Sequence, residues 1–222
     1  MRCVTVMGPS QSGKTELIRK LAAVDGHPAK SESAGPLALT RFTYLGEPWC
    51  ALDLAGGPEY ARMAARPLLA SDAVVLCVAA DPAEAVLAAP YLRAIEASGT
   101  PCLIFINRID AAKGRIRDVV AALQAYTGHT IVLRQIPIRE DGRIVGAVDL
   151  ISERAWRYRD GQSSVLVELP QSEAERERDD QESRRARVRL VERGHRHIAD
   201  PQEHERSDQL GRETFQLDLR RQ

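Results

Sequence analysis

The sequence predicts an α/β fold, a mostly parallel sheet with helices on both faces, followed by a small strand-rich unit. Three observations predict it. From residue 2 to about residue 126, apolar runs of strand length alternate with stretches of helical period. Those runs are nearly continuous rather than alternating, as strands covered on both faces require. After residue 130 the helical stretches stop, and short strands separated by turns replace them.

Taken in order, residues 2–7 read as a buried strand and residues 14 to about 24 as a helix. Residues 25–38 are rich in Pro, Gly, Ser and Ala and read as a loop. Residues 39–45 and 48–54 read as two strands around Gly46-Glu47, and Gly56-Gly57-Pro58 as a turn into a helix running to about Leu69. Residues 73–79 form a continuous apolar strand. Asp81-Pro82-Ala83-Glu84 then carries a helix start, with Asp as N-cap and Pro at the first helical position, and Gly99 marks the end. Residues 101–106 read as another buried strand and residues 110 to about 126 as a helix closed by Gly128. Residues 131–138 and 143–151 read as strands joined at Glu140-Asp141-Gly142, and 164–169 as one more. Three regions follow: a core over 1–130, a strand-rich unit over 131–170, and a charged tail over 171–222. The tail reads as helical from about 172 to 194 or as disordered.

The 222 residues suffice for one sizeable core and a small appended unit. Zero formal net charge argues against binding nucleic acid by bulk electrostatics and against sequence-specific DNA binding. Cys3, Cys50, Cys77 and Cys102 lie in or beside apolar runs at no metal-ligand spacing, and read as reduced core residues of a cytoplasmic protein. The N-terminal residues do not read as a signal peptide, and no apolar run approaches the roughly 20 residues of a membrane span. The five histidines stand near no motif and read as loop or solvated residues.

The strongest signal is Gly8-Pro9-Ser10-Gln11-Ser12-Gly13-Lys14-Thr15, which fits G-x-x-x-x-G-K-[ST] between a strand and a helix. Glycines let successive N–H groups curl around phosphate oxygens, and the helix N-terminus adds its dipole. Lys14 is placed to neutralise phosphates and the Thr15 hydroxyl to ligate Mg²⁺. The fold is thereby predicted as a P-loop NTPase.

Two later segments select the base. Asp53-Leu54-Ala55-Gly56 ends an apolar strand; its D-x-x-G pattern offers Asp53 to Mg²⁺ through water and the Gly56 N–H to a terminal phosphate. Asn107-Arg108-Ile109-Asp110 ends another strand and resembles N-K-x-D. The Asp110 carboxylate can accept from the N1–H and exocyclic amine of guanine, a donor pair adenine lacks. By itself that segment also reads as a helix cap at Asp110. Arg108 stands where Lys is usual, with a different geometry beside a base.

With these motifs in place, the chain resembles translational GTPases of the elongation factor G class, in particular the elongation-factor-G-like proteins. Leu133-Arg134-Gln135-Ile136-Pro137-Ile138 and Gly146-Ala147-Val148-Asp149-Leu150-Ile151, followed by Ala155-Trp156, resemble the start of the subdomain inserted in that class. The resemblance spans about residues 1–170. It implies GTP/GDP and Mg²⁺ binding, hydrolysis stimulated by the ribosome, and a role in translation. The departures are specific. The family's D-T-P-G-H reads Asp53-Leu54-Ala55-Gly56-Gly57, so Gly57 replaces the water-positioning His. Gln11 replaces an Asp of the phosphate loop, and Thr40 is the nearest counterpart of the first-switch Thr. The S-A-x motif expected after the inserted subdomain is not found before Gln222. No catalytic residue is evident, so hydrolysis is expected to be slow. The alternatives are an inactive nucleotide-binding module and a non-functional truncation product.

Overall fold

The computed structural model describes residues 1–26, 29–112, 115–159 and 162–168. The charged region 171–222, its expected helix, and His27, His195, His197 and His204 lie outside the described residues. The chain divides into two units, one of Met1–Leu133 with Asp141–Ile144, the other of Arg134–Glu140 with the described residues from Val145 onward.

The first unit is built on a six-stranded sheet ordered β2-β3-β4-β1-β5-β6. Its strands are β1 (Arg2–Met7), β2 (Lys30–Ala34), β3 (Leu37–Tyr44), β4 (Glu47–Leu54), β5 (Ala73–Ala79) and β6 (Cys102–Asn107). The central pairings β4-β1, β1-β5 and β5-β6 are parallel, while β2-β3 and β3-β4 are antiparallel. Residues 4–7 of β1 are all buried, so both faces of the central strand are covered. Met7, Leu54, Val74, Leu76 and Val78 face a core with Leu68, Tyr91, Leu92, Val119 and Leu123. Burying each such side chain contributes about 1.5–3 kcal/mol.

Helix α1 (Lys14–Ala23) packs against β1, β3 and β4 and buries Lys14, Ile18, Leu21 and Ala22, the i, i+4, i+7, i+8 stripe of an amphipathic helix. The core on the opposite face is closed by α2 (Pro58–Ala61), α3 (Ala65–Leu69), a 3₁₀ segment (Pro82–Ala88), α4 (Ala89–Ser98) and α5 (Ile116–Gln124). The Asp81 side chain caps the 3₁₀ segment by accepting from the Ala83 N–H at 2.9 Å, and Gly99 closes α4 in the left-handed region.

Four expectations need correction. The expected loop at 25–38 contains β2, a wholly exposed edge strand; with no buried face it carries no period-two signal. The single helix expected up to Leu69 is two short ones, α2 and α3. The helix expected from Asp110 begins at Ile116, with the Asp118 carboxylate accepting from the Arg115 N–H at 3.3 Å. Asp110 is therefore in a turn and caps no helix. The strand expected over 131–138 is displaced to β7 (Gln135–Glu140).

The second unit is a four-stranded sheet ordered β10-β9-β8-β7, with β8 (Arg143–Asp149), β9 (Arg154–Arg159) and β10 (Gln162–Val167). Strand β9 was not expected; of its residues only Ala155 is buried, so its burial does not alternate along the strand. Asp141 and Gly142 both have positive φ, 48° and 78°, the D-G turn that suits a two-residue hairpin. Asp149 closes the far end of β8. Its carboxylate accepts from the Ile151 and Ser152 N–H groups at 2.9 and 3.0 Å, and the Arg134 guanidinium donates to it at 3.3 Å.

Candidate functional site

The carboxyl ends of β1, β4 and β6 carry the three motifs, and hydrogen bonds tie them into one constellation. From β1 the chain turns at Gly8 and enters α1 at Gly13, whose φ of 93° favours glycine. A Cβ on Gly13 would stand 2.2 Å from Nδ2 of Asn107. In the absence of one, the Asn107 amide donates to the Ser12 carbonyl at 2.9 Å. The Cys77 thiol donates to the same carbonyl at 3.0 Å, occupying that oxygen's second lone pair. Neither partnership follows from sequence spacing, and Cys77 carries no sequence signal beyond its place in an apolar strand.

Asp53 and Gly56 come to the other side of the loop. The Thr15 hydroxyl donates to Asp53 Oδ2 at 2.6 Å, and the Ser10 hydroxyl donates to the Gly56 carbonyl at 2.8 Å. Backbone passes backbone closely there: a Cβ on Gly56 would lie 2.6 Å from Ser10 Cα and 2.8 Å from Lys14 Nζ. The Lys14 ammonium, largely buried, donates to the Pro9 carbonyl at 2.8 Å and the Gly8 carbonyl at 3.1 Å. Burial lowers its pKa from the usual lysine value, opposed by the charge of Asp53. Burial likewise raises that of the Cys77 thiol.

Gly57 is held by Tyr91. The Gly57 N–H donates to the Tyr91 hydroxyl at 2.8 Å, and that hydroxyl donates back to the Gly57 carbonyl at 2.8 Å. Gly57 has a φ of 144°, and a Cβ there would stand 2.6 Å from Oε1 of Glu59. Tyr91 is a contributor that the sequence did not mark, although a buried tyrosine hydroxyl generally needs such a partner. Thr40, the nearest switch-threonine counterpart, lies within β3; its hydroxyl shares a 2.9 Å hydrogen bond with that of Ser31. Leu54 is buried, Ala55 donates its N–H to the Pro36 carbonyl at 2.8 Å, and Gln11 has a φ of 60°. Arg108 also has positive φ, 57°, and its carbonyl accepts from the Ala111 N–H in the turn that exposes Asp110 beside Ile109.

The residues fit a phosphate-bound cation and an anion. Close-packed glycines leave no Cβ between Gly56, Ser10 and Lys14. The buried Ser12 hydroxyl oxygen has no partner among the described residues. Thr15 and Asp53 bring a hydroxyl and a carboxylate together, the hard oxygen donors Mg²⁺ takes when substrate phosphates complete its shell. No group of three or more His, Cys, Asp or Glu that could hold a metal occurs among the described residues.

No protein-family model matches the chain. An elongation factor G-like protein of Synechocystis sp. is 26% identical over 189 residues, 77% of this chain and 28% of that protein. One from Thermotoga maritima is 21% identical over 186 residues, 78% of this chain and 27% of its own. The chain is thus similar to elongation factor G-like proteins over about three quarters of its length. Translation initiation factor IF-2 of Mycoplasmopsis synoviae matches over a shorter stretch, 27% identical over 135 residues, 56% of this chain and 22% of that protein. A crystal structure of a Thermus thermophilus protein shares the fold, with a TM-score of 0.61 at 24% identity over 80% of this chain and 29% of that one. The chain spans under a third of the length of these relatives. No helix among its described residues is long and apolar enough to cross a membrane.

Proposed function

We propose that this domain binds GTP and GDP and holds GTP longer than it hydrolyses it. The observation that carries the reading is the tie from Asn107 to the Ser12 carbonyl, which joins the base motif to the phosphate loop. Successive N–H groups of Gly8–Thr15 and the N-terminus of α1 take the phosphates, with Lys14 exchanging the Gly8 and Pro9 carbonyls for phosphate oxygens. Asp110, exposed in its turn, accepts from guanine, and the Arg108 stem flanks the base. Thr15 and Asp53 would hold Mg²⁺, which offsets phosphate charge when bound.

Slow hydrolysis follows from Gly57. It presents no side chain to orient water, and water-positioning groups in GTPases are worth orders of magnitude in rate. The same observation favours a second reading, a nucleotide-dependent binding module without useful catalysis. The names of the relatives, elongation factor G-like and initiation factor, support the ribosome as partner and the cytoplasm as location. Titration with labelled GDP, competed by ATP, tests the base assignment: equal affinity for adenine and guanine nucleotides removes it. Single-turnover hydrolysis with and without ribosomes separates the two readings, and a strong ribosomal stimulation excludes the second.

A further inference from the structure

The parallel register of β1 and β4 places Cys3 directly beside Cys50, on one face of the sheet. Neighbouring strands lie about 4.8 Å apart, within the roughly 4.4–6.8 Å that a disulfide spans between Cα atoms. The Cys3 sulfur contacts the Ser71 hydroxyl at 3.6 Å. Cys3 is half-buried whereas Cys50 is buried, so an oxidant reaches the pair through Cys3. Arg41 neighbours Cys50 on β3, and the Asp72 carboxylate accepts from the Cys3 N–H at 2.7 Å.

We infer that Cys3 and Cys50 form a redox-responsive dithiol that small-molecule disulfides oxidise to an internal bond. The step balances as ordinary exchange. The Cys3 thiolate attacks one sulfur of oxidised glutathione, expelling one glutathione thiolate and leaving a mixed disulfide on Cys3. Cys50 then gives up its proton and attacks the Cys3 sulfur, expelling the second glutathione thiolate. Two protein thiols are oxidised, one glutathione disulfide is reduced to two thiols, and the expelled thiolates take up the protons. Burial pushes the Cys50 thiol up to about 12, which fits its acting second. The bond would join the two strands whose far ends carry the phosphate loop and Asp53.

The test is peptide mapping of the folded full chain after incubation with excess oxidised glutathione, acid quenching and alkylation. The expected product is a Cys3–Cys50 linked peptide lighter by two hydrogen atoms, with little glutathione retained. Cys50→Ser should instead accumulate glutathione on Cys3. Glutathione held on Cys3 equally in both chains would overturn the inference, as would an unmodified Cys3 in the unsubstituted chain.

Discussion

The side-chain amide of Asn107 donates to the main-chain carbonyl of Ser12, 95 residues away, at 2.9 Å. This bond ties the end of β6 to the backbone of the Gly8–Thr15 loop. Asn107→Ala should lower stability by about 0.5–1.5 kcal/mol, the net worth of one such bond. It should also weaken GDP binding about tenfold, because each 1.4 kcal/mol is a decade of affinity. Denaturant unfolding and GDP titration on one preparation check both; unaltered affinity would detach Asn107 from the loop's function.

Lys14 has its pKa lowered by burial, so the unfolded chain binds that proton more readily than the folded one. The charged ammonium therefore costs stability at neutral pH, and the cost fades as pH rises toward the unfolded value near 10.5. Lys14→Met should abolish nucleotide binding yet leave the free protein as stable as before, or more so, at neutral pH. The advantage should shrink in alkaline denaturation series. A variant that loses stability at neutral pH contradicts this.

Gly57→His supplies a histidine where the sequence resemblance expects one to position water, yet it should not speed hydrolysis. The φ of 144° strains any side chain there, whereas the Glu59 carboxylate 2.6 Å from the added Cβ is the end of an exposed side chain that can swing away. The expected cost is about 1–3 kcal/mol, read as a lower melting temperature, and Gly57→Ala should show most of it. A stable His variant with faster single-turnover hydrolysis would show that the Tyr91 clasp on Gly57 rearranges freely.

In the second unit, burial raises the pKa of Asp149, but the Ser152 and Ile151 N–H groups and Arg134 outweigh it and hold it below the usual 3.8. Its contribution is therefore fully present above that value and lost as pH falls through the folded value. Asp149→Asn should cost about 1.5–3 kcal/mol at neutral pH, the range for hydrogen bonds to a charged group. Amide exchange over residues 145–149 measures it, and the loss should vanish in acid.

Much of this molecule was legible in the sequence because its signals are local. The buried strands β1 and β5 are continuous apolar runs, and the phosphate loop is a contiguous motif between a strand and a helix; β6 is an apolar run too, but as an edge strand it is only partly buried. What escaped was set by tertiary partners. Strand β2 is defined by pairing with β3 and buries nothing, so no period marks it. The start of α5 is set by the Asp118 carboxylate rather than by Asp110, which resembles a cap only in isolation. Cys77 and Tyr91 enter the site through one thiol and one hydroxyl on otherwise core-like positions.

The central claim is a guanine-selective nucleotide site assembled by Asn107 and Asp110 on the phosphate loop. The most direct measurement is the ratio of GDP to ADP affinity for the unsubstituted chain and for Asp110→Asn, whose exposed turn should tolerate the change without loss of stability. A strong preference for GDP that collapses in the variant is the predicted result. A ratio near one in the unsubstituted chain, or a preference that Asp110→Asn leaves intact, would contradict it.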